Sequence, residues 1–142
     1  MEKLIEDVTH YALNFRSAIE KSQNKLSQVT LKHFPHGSCG DVTTLLGTYL
    51  EEMGLGYFDY ICGGRISDGH SHAWLEKERL IVDITADQFD DQKNKVIVSI
   101  SSPWHEMNFV RDPIRHIAHL NVYIDNVGVL KEDYQTIKSF IQ

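Results

Sequence analysis

The sequence is poor in cysteine and has no long apolar run, and each shortage excludes a class of protein. Two cysteines in 142 residues cannot form the disulfide framework of a small secreted domain, so we expect reduced thiols and a cytoplasmic location. The N-terminus has neither the apolar core nor the cleavage site of a signal peptide. No stretch approaches the roughly 18 apolar residues of a transmembrane helix, so we expect no membrane partner.

Basic residues are too few and too scattered for a nucleic-acid partner. The chain carries 14 Lys and Arg against 20 Asp and Glu, for a net charge of −6. Binding to a phosphate backbone needs clustered positive charge, and the sequence contains no such cluster. The hydrophobic content of 42% is typical of a soluble globular protein. The length and the lack of internal repeats predict one domain over residues 1–142.

Apolar residues recur with helical period towards both ends of the chain. They predict a helix from residue 2 to about residue 21, then a polar loop with room for a short helix. A second helix is predicted from Gly40 to Gly54, with Cys39 at its foot. Gly47 interrupts this second helix, which indicates that another element packs closely there. The final segment, KEDYQTIKSFIQ, predicts a C-terminal helix.

Between these helices the apolar period changes to two residues, which is typical of strands. The segments GYFDYICGG, HSHAWLE, RLIVDIT and KVIVSIS each predict a strand, and HLNVYID is a candidate for a fifth. Hairpin-length connections and helices at both ends favour an α+β fold, with N-terminal helices packed on a mostly antiparallel sheet of about four to five strands.

The segment at residues 70–85, HSHAWLEKERLIVDIT, predicts a hairpin that brings a histidine beside a carboxylate. With the turn at Lys77–Glu78, apolar residues face apolar residues and His72 faces Asp83. Directly opposed residues have Cβ atoms roughly 4.5–5.5 Å apart, so the two side chains would meet. Because Asp83 is flanked by apolar residues, we expect it to be buried and partnered.

Cys39 has the environment of a nucleophile. A helix N-terminus and a neighbouring imidazolium both lower the pKa of a thiol, and the thiolate is the reactive form. A buried carboxylate fixes the tautomer of an imidazole and stabilises the imidazolium. Cys39, His72 and Asp83 therefore predict a nucleophile, a general base and acid, and an orienting group. His70 competes for the base, but the pairing with Asp83 favours His72.

The succession of GSCGDVTTLL, SHAWLE and IVDIT resembles the transglutaminase-like and papain-like cysteine hydrolases, a group that includes the thiol proteases. The resemblance covers residues 39–83 and implies a single cysteine peptidase-like domain with a papain-like core. It also implies hydrolysis of a peptide, isopeptide or thioester bond in a peptide or protein substrate, through an acyl-enzyme on Cys39 and without a cofactor. Transglutaminase-type amine transfer and side-chain deamidation share this chemistry. A catalytically inactive, protein-binding member of the fold is the alternative of another class.

The groups that would bind substrate or its oxyanion are left open by the pattern. Papain-like enzymes commonly carry a glutamine shortly before the cysteine, and LKHFPHGS contains none. His33, His36, Ser38 or a backbone N–H could serve instead. Gln88 could reach back from the segment after the third strand, and Trp104 could line a pocket from a loop.

The eight histidines of the chain make a metal site the rival chemistry. His70 and His72 are alternate residues, and His116 and His119 are three apart. Such pairs can bind zinc or iron together with a carboxylate. Since neither an HExxH nor a CxxC signature accompanies them, we expect no metal. Cys62 lies in an apolar strand, where we expect a structural thiol.

Overall fold

The computed structural model describes residues 1–122 and 127–141, which form helices and one antiparallel sheet. The helices are α1 (Glu2–Ser22), α2 (Cys39–Glu52), α3 (Pro103–Asn108) and α4 (Val127–Lys138). The strands are β1 (Asp59–Arg65), β2 (Ser71–Lys77), β3 (Leu80–Asp83), β4 (Ile97–Ser99), β5 (Phe109–Arg111) and β6 (His116–Ile117). This architecture confirms the predicted α+β class, the antiparallel sheet and the C-terminal helix. No helix in the described ranges is both long and apolar enough to cross a membrane.

The sheet places β2 and β1 at its centre. The strand order is β4-β3-β2-β1-β5, and every pairing is antiparallel. The sixth strand, β6, pairs with the first two residues of β1, whereas β5 pairs with the last three. The segments that carry the predicted histidine and aspartate therefore lie on adjacent inner strands.

Strand β2 is buried on both faces of the sheet. Ala73 and Leu75 are buried on the face towards the main core, which α1, α2 and α4 cover. His72 and Trp74 alternate with them and lie on the opposite face. There Trp74 packs into a second, smaller cluster with the residues Ile61, Ile81, Phe89 and Phe109. The candidate histidine thus lies in an aromatic environment on the far side of the sheet from the main core.

Gly47 allows the closest approach between α2 and another segment. A Cβ at this position would overlap the backbone carbonyl oxygen of Ala118 and lie 2.8 Å from the Ala118 Cβ. The prediction that another element packs closely at this glycine is confirmed.

The β2–β3 hairpin is two residues out of the predicted register. Lys77 pairs with Leu80, so the turn is Glu78–Arg79, and Glu78 adopts a positive φ of 57°. Lys77 remains in the strand because its amine donates to the carbonyl oxygen of Leu55 at 2.6 Å. A two-residue shift keeps every side chain on its face. His72 and Asp83 are therefore diagonal rather than directly opposed neighbours, still within reach of long side chains.

Two segments differ in type from the predictions. The candidate fifth strand, HLNVYID, contains a 3-10 turn at Leu120–Val122, and its next three residues lie outside the described ranges. Trp104 was predicted to lie in a loop and instead lies in α3, because Ser102 caps this helix by accepting from the His105 N–H and Pro103 occupies its first turn. The polar loop after α1 contains 3-10 turns at Gln23–Lys25 and Val29–Leu31, as its sequence allowed.

Candidate active site

Cys39 is the first residue of α2 and carries a half-buried free thiol. The preceding loop is held by Ser38, which is fully buried and donates its hydroxyl to the carbonyl oxygen of Pro35 at 3.0 Å. That bond commits the hydroxyl hydrogen of Ser38 to the loop, so this group is not available to donate to a substrate. Ser38, the N-cap residue of α2, makes no capping hydrogen bond through its side chain, and backbone N–H groups at a helix start favour bound negative charge.

His72 and Asp83 are in direct contact. Nε2 of His72 lies 2.7 Å from Oδ2 of Asp83, and both side chains have zero exposure. The His72 ring is packed edge-on against Phe89, with centroids 5.1 Å apart, and it also contacts Phe109 and Trp74. The predicted contact and the predicted burial of Asp83 are confirmed, although the register that led to them was not.

A second buried histidine binds the same carboxylate oxygen. Nε2 of His105 lies 2.7 Å from Oδ2 of Asp83, and Nδ1 of His105 lies 2.5 Å from Oγ of Ser102. The other oxygen of Asp83 accepts the backbone N–H of Thr85 at 2.9 Å. Sequence reasoning missed His105. The Ser-Pro pair at 102–103 is a helix-start signal that could have placed His105 in a first turn, but not beside Asp83.

Gln88 reaches the opposite side of the His72 ring. Its Nε2 lies 3.1 Å from Nδ1 of His72, so the two ring nitrogens have Asp83 and Gln88 as partners. Gln88 ends a 3-10 turn, Ala86–Gln88, that Arg16 of α1 holds in place. Nη1 and Nη2 of Arg16 form a fork on the Asp87 carboxylate at 2.7 and 2.9 Å. The prediction that Gln88 extends back towards the site is confirmed.

The pKa values of the three groups are shifted in directions that suit a thiolate. Burial raises the pKa of Cys39, but hydrogen bonds from His72, the Ala73 backbone and Gln88 outweigh it and lower the pKa below its ordinary value. Burial lowers the pKa of His72, whereas Asp83 and Cys39 raise it to about 9. Burial raises the pKa of Asp83, and the two histidines nevertheless hold it well below its usual range. The lowered pKa of Cys39 and the raised pKa of His72 both favour the ion pair of thiolate and imidazolium over the neutral pair.

His36 and Trp104, also predicted for the site, lie around the group formed by Cys39, His72 and Asp83. A cavity of about 210 Å³ is lined by His36, Arg65, Asp68, His70, Gln88 and Phe89. Trp104 packs on the aromatic cluster, with its ring 5.7 Å from that of Phe89, and its indole N–H donates to Asp91 at 3.2 Å. A larger cavity of about 590 Å³ lies elsewhere, between the end of α1 and the loop that follows it, and none of the predicted site residues lines it.

The histidines that suggested a metal site have other partners. His116 stacks on Tyr60 with ring centroids 4.6 Å apart, and Nε2 of His119 contacts Glu51 at 3.0 Å. The ligand atoms of His72, Asp83 and His105 do lie within 4.8 Å of one another. However, both imidazoles meet one carboxylate oxygen at 2.7 Å, which is a hydrogen-bond distance. A zinc ion needs ligands at about 2.0–2.2 Å, so its binding would replace both of these hydrogen bonds.

Comparisons with protein-family models, with curated proteins and with solved structures gave no match for this chain. The resemblance to transglutaminase-like and papain-like hydrolases therefore remains a prediction that depends on residues 39–83.

Proposed function

We propose that the protein is a cysteine-dependent hydrolase or acyl-transfer enzyme of the transglutaminase-like and papain-like type. One observation carries the proposal: Asp83 holds His72 through Nε2 at 2.7 Å, so that Nδ1 is the ring nitrogen turned towards Gln88 and Cys39. A half-buried thiol with a lowered pKa beside such an imidazole is the arrangement that nucleophilic catalysis requires.

The reaction begins when the Cys39 thiolate attacks the carbonyl carbon of an amide or thioester. The carbonyl oxygen becomes an oxyanion, and the C–N or C–S bond then breaks as the imidazolium Nδ1–H of His72 protonates the leaving group. The acyl group remains on Cys39. Neutral His72 next takes a proton from water, the resulting hydroxide attacks the acyl carbon, and the released acid leaves the thiolate and imidazolium restored.

The oxyanion has two candidate donors. The side-chain amide of Gln88 contacts Nδ1 of His72 and hydrogen-bonds Cys39, and when Nδ1 is protonated an N–H of this amide is free to donate to the oxyanion. The backbone N–H groups at the start of α2 provide the second donor, because Cys39 is the first residue of that helix. We assign the stabilisation of the oxyanion to these groups rather than to Ser38.

Peptide or isopeptide hydrolysis, deamidation and amine transfer differ in two respects: the acyl donor that Cys39 attacks, and the nucleophile that cleaves the acyl-enzyme. Water gives hydrolysis or deamidation, and an amine gives transfer. The proposed substrate is a peptide or protein that presents the acyl group.

The proposal is tested by alkylation of Cys39 with iodoacetamide across pH, in a Cys62→Ser background that leaves one thiol. We expect the midpoint of alkylation to lie below that of a free thiol and to return towards it in His72→Ala, because the imidazolium no longer stabilises the thiolate. His10→Ala is the matched control, since His10 lies exposed on α1. A midpoint at the value of free cysteine that His72→Ala does not move would disprove the activity and leave the inactive, protein-binding alternative.

A second measurement follows the chemistry itself. An aryl thioester incubated with the wild type should add its acyl mass to the protein, and Cys39→Ala should not gain it. Addition of an alkylamine then separates the two outcomes: release of the free acid indicates hydrolysis, and release of the alkylamide indicates transfer.

A further inference from the structure

We propose that the cavity beside Cys39 binds a carboxylate of the acyl donor, and that Arg65 determines this specificity. The inference rests on the proposed function, because it names the substrate class of the same site. The predicted substrates are acyl donors with an anionic group on a short side chain, such as acidic amino-acid residues.

The cavity adjoins the reactive centre through shared walls. Gln88, which contacts Nδ1 of His72 at 3.1 Å, forms one wall, and Gly37, two residues before Cys39, forms another. A substrate whose carbonyl carbon is bonded to the sulfur can therefore place its neighbouring atoms in the cavity. The volume of about 210 Å³ is smaller than the roughly 300–1,000 Å³ of pockets for drug-sized ligands, so it suits one side chain.

Arg65 is the cationic residue of this cavity, and it has spare hydrogen-bonding capacity. Its guanidinium lies over the ring of Phe89, with Cζ 4.7 Å from the centroid, and its side chain is 19% exposed. Nε of Arg65 is buried and has no hydrogen-bond partner among the described residues. Guanidinium groups have five N–H donors in a planar fork that matches a carboxylate. Because Nε is itself buried, a carboxylate in the cavity would bind the Nη groups of this fork.

The acids around Arg65 compete only weakly for it. Nη2 contacts Asp91 at 3.2 Å, but Asp91 is 47% exposed, and exposed ion pairs contribute little to stability. Asp91 also accepts from the indole N–H of Trp104. Asp68, the acid that lines the cavity, accepts the backbone N–H of His70 at 3.0 Å. Exchange of Asp91 for a substrate carboxylate on Arg65 therefore loses one exposed contact and gains charge-assisted hydrogen bonds.

The test uses one electrophile with two kinds of tail. N-Bromoacetyl derivatives of glycine, β-alanine and 4-aminobutyrate carry a carboxylate at increasing distance, and their methyl amides are neutral controls. Each alkylates Cys39 at the same carbon with loss of bromide, in the Cys62→Ser background. We expect one carboxylate length to react about tenfold or more faster than its methyl amide, because charge-assisted hydrogen bonds to Arg65 would hold that carboxylate in the cavity.

Three variants test whether Arg65 causes the preference for the carboxylate reagents. Arg65→Gln should abolish the preference, so that each carboxylate and its methyl amide react at the same rate. Arg79→Gln, in the exposed β2–β3 turn, is the matched control and should keep the preference. Asp91→Asn should increase the preference, because it removes the competing acid while it keeps an acceptor for Trp104. A purely structural role of Arg65 predicts no such increase.

The outcomes separate the inference from the proposed function. Fast alkylation by the methyl amides with no carboxylate preference, or with a preference that Arg65→Gln retains, overturns the inference and leaves the proposed function intact. Alkylation by both series at the rate of a free thiol overturns the proposed function. A preference that disappears in Arg65→Gln and grows in Asp91→Asn supports both.

Discussion

The second histidine on Asp83 gives the sharpest prediction about how the site is tuned. His105 and His72 share Oδ2 of Asp83 at equal distances of 2.7 Å, and both rings are fully buried. Each N–H that donates to the carboxylate stabilises its negative charge. His105→Phe removes one of these donors, so the carboxylate becomes more basic and its hold on the His72 proton becomes stronger.

The magnitude follows from the bond that is lost. A hydrogen bond to a charged group contributes about 1.5–3 kcal/mol, and one pKa unit corresponds to about 1.4 kcal/mol, so the carboxylate becomes about one to two units more basic. Part of this change reaches His72, whose pKa should rise above its value of about 9 by as much as about one unit. The free energy of unfolding should fall by about 2 kcal/mol, since a buried acceptor loses a partner.

The assay is the NMR titration of the His72 ring, assigned by its disappearance in His72→Gln, together with urea unfolding of the same variants. His105→Gln is the matched control because its amide can donate to Asp83, and it should titrate close to the wild type. If His105 only fills space, His105→Phe should lower the free energy of unfolding without changing the pKa of His72. A titration midpoint of His72 that is unchanged or lower in His105→Phe would refute the conclusion that His72 and His105 both stabilise the charge of Asp83.

Three further perturbations test other contacts. In Cys39→Ser the contribution of Cys39 to the pKa of His72 is lost, but Asp83 should still hold that pKa above its ordinary 6.5, so the free energy of unfolding should fall as the pH rises above 6.5. In the wild type the lowered pKa of Cys39 offsets this fall, so the free energy of unfolding, measured with urea, should vary less with pH than in Cys39→Ser. Equal pH dependence in the two proteins would contradict the ion pair. Gly47→Ala should cost about 2 kcal/mol or more in thermal unfolding because its Cβ meets backbone, whereas Gly128→Ala in open space should be neutral or stabilising. Arg16→Lys should lower the free energy of unfolding by about 1–3 kcal/mol and slow the alkylation of Cys39, since one amine cannot replace the two hydrogen bonds from Arg16 to Asp87 that hold the turn carrying Gln88. Unchanged alkylation would show that other contacts position this turn.

The local parts of the site could be predicted from the sequence because they depend on short-range patterns. The helix start at Cys39 and the two-residue alternation along β2 and β3 follow from neighbours in the chain. The contact of His72 with Asp83 survived an error in register because a shift of two residues preserves the face. An error of one residue would have placed the two side chains on opposite sides of the sheet.

The remaining parts depend on long-range packing that no local pattern encodes. His105 meets Asp83 from 22 residues away, through a short helix in a segment whose sequence predicts a loop. Arg65 belongs to the cavity because β1 ends beside the loop before Cys39, and its sequence neighbourhood, CGGR, resembles an ordinary strand end. β5 and β6 have only three and two residues, too few for a period to be recognised.

The burial of β2 on both faces joins the reactive centre to the folding of the whole domain. Leu75 contributes to the main core and Ala73 is buried on the same face, while His72, the second residue of the strand, contributes to the site. The site and the core therefore cannot separate from the sheet independently. The amide hydrogens of β2 should therefore exchange with solvent only when the entire chain unfolds. A molecule that occupies the site should slow that exchange and prolong the lifetime of the folded chain, so a search for ligands can begin from thermal stability, before any substrate is known.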